Sequence, residues 1–368
     1  MTDSPKPQSP PGPEGTSPAR SKTASPALRS ETASPAGPAL PNAPTDQTQI
    51  EADDLDDAST DDQQSTYTAS LASSVVDYPT EHGRQYHAYR SGSYYGPNDD
   101  RELDRLDFMS DMVHKTLGAF YLAPIEEEKT HRILDMGTGT GIWAIEVSSL
   151  FPNAEIVGND LSANQPTWVP PNVKFVVDDV ESPWVGSKYD FIFARTLAGC
   201  ILDWPKLVDN VSANVNPGGW VEFQDWDIAY YSDDGTMTEE HESWKMADRL
   251  GKLCAQIGRE PCPGPKLPQW VKDSGFVNVT QKKYKVPIGP WAKDPYFKKI
   301  GEMNIIQILE GLEAYNLRLL TGVAGWTKEE VHLLLAQVRK ELTSSKFHSH
   351  MVFHVVYAQK PENAEEES

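Results

Sequence analysis

The sequence predicts an α/β fold in which a parallel sheet carries helices on both faces. Three observations lead there. A glycine-rich turn joins a strand-like segment to a helix-like one at residues 131–147. Short apolar runs then alternate with helix-like stretches as far as Asp225. Acids stand at the carboxyl ends of several of those runs, where open α/β sheets bind their ligands.

The turn reads Ile133-Leu-Asp-Met-Gly-Thr-Gly-Thr-Gly141, followed by Ile142-Trp-Ala-Ile-Glu-Val147. Ile133 and Leu134 end a buried strand and Asp135 closes it. Gly137, Gly139 and Gly141 have no Cβ, so the chain can turn sharply and a ligand can approach the backbone. The following helix offers unpaired N–H groups. The spacing differs from the G-x-G-x-x-G of dinucleotide sites. It resembles motif I of the class I S-adenosylmethionine (SAM) methyltransferases, whose sheet is Rossmann-like.

Composition bounds the function. The 368 residues carry 33 Lys and Arg against 54 Asp and Glu, a formal net charge of -21. That balance disfavours nucleic acid as a general substrate. Cys200, Cys254 and Cys262 suit neither a disulfide framework nor a zinc site, so no metal centre is expected and a reducing compartment is. No apolar run reaches the roughly 20 residues that span a bilayer. The N-terminus lacks a hydrophobic signal core, which argues against secretion.

Residues 1–75 are expected to be a disordered tail rich in Pro, Ser and Thr that turns acidic from Glu51 to Asp62. Two readings stay open, a solubilising tail and a regulated one. Ser4, Ser9, Ser17, Ser25 and Ser34 each precede proline, as proline-directed kinases require. The domain is expected to run from 76 to 360, followed by an acidic tail at 361–368. Tyr78, His82, Tyr86, Tyr89, Tyr94 and Tyr95 either close over a ligand or pack the next helix onto the core. That helix starts at Asn98-Asp-Asp-Arg-Glu and places Leu103, Leu106, Met109, Val113, Leu117 and Phe120 at helical spacing.

After the glycine turn, a helix runs to about Leu150, and Ala154–Asp160 forms the second strand. Asp160 follows Gly141 by 19 positions at a strand end, where a carboxylate can accept both ribose hydroxyls or cap its own turn. Val173–Val177 is the third strand. Class I enzymes commonly bond the adenine amino group with an acid here and the ring with the next backbone group, which implies Asp179 and Val180, with Trp184 flanking. Lys188–Arg195 is the fourth strand. The Asn/Asp-Pro-Pro-Tyr/Phe signature of amino-group methyltransferases is absent after it, which disfavours adenine-N6 and glutamine-type acceptors. Asn216-Pro-Gly-Gly-Trp-Val-Glu-Phe-Gln-Asp225 feeds a fifth strand. Four strand–helix repeats are expected in all. Helices follow at His241–Ile257 and Leu267–Ser274, then a strand from Phe276, a helical insert at about 290–342 and a last strand at Met351–Ala358. Such an insert suits a substrate lid, extra core or a protein interface.

From about Asn98 to Asp225 the chain resembles the fungal LaeA-like methyltransferases. The resemblance rests on Asn98-Asp-Asp-Arg-Glu-Leu-Asp-Arg-Leu-Asp, Leu134-Asp-Met-Gly-Thr-Gly-Thr-Gly-Ile-Trp-Ala-Ile-Glu, Gly158-Asn-Asp-Leu-Ser, Phe191-Ile-Phe-Ala-Arg, Asp203-Trp and Pro217-Gly-Gly-Trp-Val-Glu. It implies SAM as cofactor and a nuclear or cytoplasmic regulator of secondary metabolism and development, with velvet-domain proteins or another methyltransferase as partners. Other members of the broad group methylate small molecules. The implied cofactor set is Asp135, Gly137, Thr138, Gly139, Gly141, Asp160, Leu161, Asp179, Val180 and Arg195. Arg195 alternatively contacts a carboxylate substrate or pairs with an acid. A base is needed only for a poor nucleophile such as a hydroxyl, and the candidates are His114, His241 and Glu222. Three functions stand: a regulatory SAM-dependent methyltransferase working in a protein complex, a small-molecule O-methyltransferase, and a catalytically silent scaffold.

Overall fold

The computed structural model describes residues 76–363. The expectations for residues 1–75, and for all but the first three residues of the C-terminal tail, lie outside them. The described chain begins with a two-strand hairpin, β1 (Thr80–Glu81) and β2 (Arg84–Gln85), and the long helix α1 (Asp100–Leu117). Asp99 caps α1 by accepting the Glu102 N–H at 3.2 Å, one residue later than the expected start. Gly118, at φ 70°, ends the helix.

The sheet then assembles from β3 (Arg132–Met136), β4 (Glu155–Asp160), β5 (Val173–Val177), β6 (Tyr189–Arg195) and β7 (Val215–Trp226). Their spatial order is β5-β4-β3-β6-β7, all parallel. The last strand, β10 (Ser349–Gln359), runs antiparallel to β7. Two further strands, β8 (Tyr231–Ser232) and β9 (Val277–Pro287), pair antiparallel with β10. The sheet is therefore mixed, with an antiparallel edge added to the expected parallel core.

Only two of the four expected crossover helices form within that core: α2 (Ile142–Ser148) after β3 and α3 (Trp204–Asn214) after β6. The β4–β5 connection contains Pro166, Pro170 and Pro171, and the β5–β6 connection contains Pro183 and Gly186. Each proline removes an N–H and clashes with a helical predecessor, so both connections stay irregular. Beyond β7 come α4 (Glu242–Gln256), α5 (Leu267–Asp273), α6 (Pro295–Gly322) and α7 (Lys328–Leu342). The last two are the expected insert.

Alternation along the strands builds two cores. Leu134, Met136, Ile192, Val221 and Phe223 face Leu207, Val208, Val211 and Val271 of α3 and α5. Ile133, Ile156, Phe191 and Phe193 face Trp143, Ala144 and Val147 of α2. A third core, from α4, α6 and α7, gathers Leu250, Leu253, Leu312, Leu317, Leu320, Leu335 and Val338.

Candidate active site

A cleft of about 190 Å³ opens at the carboxyl ends of β3, β4, β5 and β6. Asp135, Gly137, Thr138, Gly139, Asp160, Leu161, Asp179, Val180 and Arg195 all line it. Gly141 does not. It sits at φ 82° as the N-cap of α2, and a Cβ there would meet the Phe175 ring at 2.4 Å. Its glycine is needed for the turn and for packing against β5.

The glycine turn is held from behind. Gly137 and Gly139 have φ of 69° and 58°, the left-handed region that side chains resist. The Thr138 N–H donates to the Asn159 carbonyl at 2.8 Å, and the Gly137 N–H to Asn159 Oδ1 at 3.3 Å. Gln165 Nε2 donates to the Gly139 carbonyl at 2.6 Å. Asp160 accepts from the Gly139 N–H at 2.9 Å and the Ser162 N–H at 3.0 Å. Thr138 Oγ1 donates to Asp135 Oδ2 at 2.5 Å.

Asp135 is buried and Asp160 half-buried. Desolvation pushes Asp160 up to about 6, although backbone N–H groups pull it back. It pushes Asp135 up to about 7, against Thr138 and the Arg195 charge. Arg195 is drawn down to about 10 by its own burial. Its guanidinium donates to Gln224 Oε1 at 2.9 Å, Ser110 Oγ at 3.1 Å and the Phe120 carbonyl at 3.3 Å. Asp179 forms an ion pair with Arg90 at 3.0 Å and accepts from the Glu181 N–H at 3.0 Å. The Val180 carbonyl accepts from Trp184 Nε1 at 2.8 Å, so Trp184 is tied beside the cleft without lining it.

The roof was one of two readings for the aromatic segment, and the contribution of α1 to it was not foreseen. Ser93, Tyr94, Pro97 and Asn98 come from the segment before α1, and Leu106, Met109 and Ser110 from α1 itself. The segment is pinned by Arg84 to Asp99 at 2.6 and 2.9 Å, and by the Ala163 N–H to the Tyr78 hydroxyl at 3.0 Å. The aromatic approach divides between its two readings: Tyr94 roofs the cleft, whereas Tyr86 is core, beneath Arg318 at 4.3 Å. An excess of tyrosines was the only available signal.

The three candidate bases fall elsewhere, and none lines the cleft or the chamber described next. Glu222 is fully buried and accepts from the Leu122 and Ala123 N–H groups at 2.7 and 2.6 Å and from Gln224 at 2.6 Å. It fixes the linker ahead of β3. His114 stacks on Phe120, with centroids 3.9 Å apart. His241 bonds Thr238 at the start of α4 and lies edge-on to Phe347. Among the described residues no cluster of three or more His, Cys, Asp or Glu could hold a metal ion. No helix among them is long and apolar enough to cross a membrane.

A second chamber, of about 130 Å³, adjoins the cleft and shares Tyr94, Pro97, Leu106, Met109, Thr196 and Cys200 with it. It extends under α4 and α6. Thr196 is held at φ 59° between the two spaces, a strained position for a β-branched residue.

Comparison with known proteins places this geometry. A methyltransferase domain model matches residues 104–281. Methyltransferase pytC of Aspergillus terreus is 45% identical over 295 residues, covering 79% of this chain and 91% of that protein. The secondary metabolism regulator LAE1 of Cochliobolus heterostrophus is 33% identical over 290 residues, covering 77% of this chain and 94% of that protein. The chain belongs to the LaeA-like methyltransferases. A further relative, the protein-methionine methyltransferase laeA of Emericella nidulans, is 30% identical over 76% of both chains. This LaeA-like chain is thus a SAM-dependent methyltransferase with the class I fold.

The cleft suits that cofactor. SAM carries a sulfonium and an ammonium, and the cleft offers the buried carboxylate of Asp135 and the half-buried one of Asp160. Both are raised by desolvation, a cost that a bound cation offsets. The left-handed Gly139 leaves the space above the turn open, since a Cβ there would meet only Leu106, at 4.0 Å.

Proposed function

We propose that the residues lining the cleft divide the cofactor among them. Asp160 accepts the ribose hydroxyls, with Leu161 beside the sugar. Asp179 and the Val180 backbone take the adenine. Asp135, Thr138, Gly137, Gly139 and Arg195 serve the methionine end. The observation that carries this reading is the convergence of these nine residues on one cleft at the sheet's carboxyl edge. When bound, SAM supplies an electrophilic methyl group on a sulfonium. The chain positions the acceptor in line with it, and the Tyr94 roof keeps water out.

The test is calorimetry with S-adenosylhomocysteine on the full chain. Wild type should bind in the micromolar range, and Gly139→Arg should not. Equal binding by the two would remove the cleft assignment.

Relatives named as secondary metabolism regulators support a regulatory role. We propose that it is exercised in the nucleus or cytoplasm with a velvet-domain protein or a second methyltransferase as partner, as the family resemblance implies. Co-purification of the full chain with such a partner tests it, and two separate peaks on size exclusion would count against it. The second chamber favours the other reading, a small acceptor molecule, because it leads inward from the cleft rather than across an open face.

A further inference from the structure

We infer that the second chamber receives a neutral, hydroxylated ring compound whose hydroxyl donates to Asp225. The inference rests on the cofactor assignment above and adds the class of methyl acceptor.

The chamber's walls are mainly apolar and aromatic. Tyr95, Trp226, Tyr230, Met246, Leu250 and Ile308 supply flat and flexible surfaces. Size and lining therefore suit a ring system.

Charge narrows the class. Arg105 is the only cation in the lining, and it is spent. It binds Glu102 bidentately at 2.6 and 3.0 Å, donates to Gln307 Oε1 at 3.0 Å and stacks over Tyr315 at 4.9 Å. An anionic acceptor would enter with no counter-charge, at a large desolvation cost. The thiols are no alternative nucleophiles: burial pushes Cys254 up to about 11 and Cys200 higher still, so both stay protonated.

Asp225 supplies the directional contact. It ends β7 and is buried. Oδ2 accepts from the Leu197 N–H at 2.8 Å and Oδ1 from the Trp226 N–H at 2.8 Å, and the Ala198 N–H is a third backbone donor to the carboxylate. A carboxylate has about four acceptor positions, so with these backbone donors in place there is capacity for one more. Leu197 itself lines the cofactor cleft, which puts Asp225 on the cleft side of the chamber. Burial raises Asp225 to about 7, close to the working pH of a proton acceptor. In the transfer, the acceptor oxygen bonds the methyl carbon as the carbon–sulfur bond breaks. The hydroxyl proton passes to Asp225, and S-adenosylhomocysteine leaves as a neutral thioether.

The experiment measures binding to the full chain saturated with S-adenosylhomocysteine, using 2-naphthol, 2-methoxynaphthalene and 2-naphthoate as probes. 2-Naphthol should bind at least tenfold more tightly than 2-naphthoate. Asp225→Asn should weaken 2-naphthol about tenfold and leave 2-methoxynaphthalene, which cannot donate, unchanged. Ala247→Phe and Ala314→Phe, which fill the chamber from α4 and α6, should abolish binding of both neutral probes while S-adenosylhomocysteine still binds. Absence of 2-naphthol binding, equal affinity for 2-naphthoate, or indifference to both filling variants would each overturn the inference. Failure of a folded wild-type chain to bind S-adenosylhomocysteine would instead remove the cofactor assignment beneath it.

Discussion

The cofactor cleft and the inner chamber share six lining residues, yet they are built in opposite ways. The floor of the cleft comes from strand ends: one glycine turn, then an acid after each of the next two strands. The chamber draws on positions from Tyr94 to Met351, on α1, β7, α4, α6 and β10. In the cleft the polar contacts are concentrated at the glycine turn and the acids of the strand ends. In the chamber the polar groups are mostly satisfied by one another, and shape remains. One region is specified by local geometry and the other by packing between distant elements.

The contrast predicts how each region breaks. Gly139→Arg fills the cleft at a left-handed position, and SAM affinity should fall more than about 100-fold with the fold retained, since a left-handed side chain costs only about 1–2 kcal/mol. Calorimetry beside a thermal melt checks both halves of that statement. Leu317→Ala, in the core of the insert, should do the reverse. It should cost about 2–5 kcal/mol of stability, with affinity unchanged within a few-fold. A matching loss of affinity would mean that the insert and the cleft are one energetic unit.

A smaller pair of effects sharpens the division within the sheet. Asp160→Ala should weaken SAM by about 1–3 kcal/mol, the value of hydrogen bonds to a charged group. Glu222→Ala should cost about 1–3 kcal/mol of stability instead, because two linker N–H groups lose their acceptor. Urea melts with and without ligand separate the two. If Glu222→Ala abolished turnover at full stability, the structural reading of this residue would fail.

The smallest effect is that of pH. Burial raises Asp135 to about 7 and Asp160 to about 6, against 3.8 for the unhindered group. The folded chain therefore binds more protons than the unfolded chain between those values. These two groups favour folding as pH falls from about 7 towards 4, and that contribution is lost as pH rises through 7. A cationic ligand prefers the ionised acids, so its stabilisation runs the other way. The rise in melting temperature caused by SAM should be larger at pH 8 than at pH 5.5. A shift independent of pH would mean that neither acid meets the cofactor's positive charge.

The glycine turn and the acids at 135, 160 and 179 were legible because a βα unit places them by chain geometry alone. A strand rises about 3.3 Å per residue and ends at a fixed edge, so position in sequence gives position in space. Alternate spacing does not separate Gly137 and Gly139, which line the cleft, from Gly141, whose missing Cβ admits the Phe175 ring. The βα logic overcounted crossover helices because prolines between β4 and β6 were weighed less than the strand rhythm. Glu222, His114 and His241 were chosen for their chemistry, but nothing local reports which backbone N–H or aromatic ring each will meet.

By itself, then, the sequence determined the sheet core, the glycine turn and the helical insert, all consequences of periodicity and backbone stereochemistry. Tertiary structure alone decided that α1 and its preceding segment roof the cleft, that Arg105 meets Gln307 in the chamber wall, and that Asp225 rather than Glu222 faces the chamber. Those outcomes depend on elements that are separate in the chain meeting in a low-dielectric interior. There the partner, not the residue type, sets whether a charge is structural or free to react.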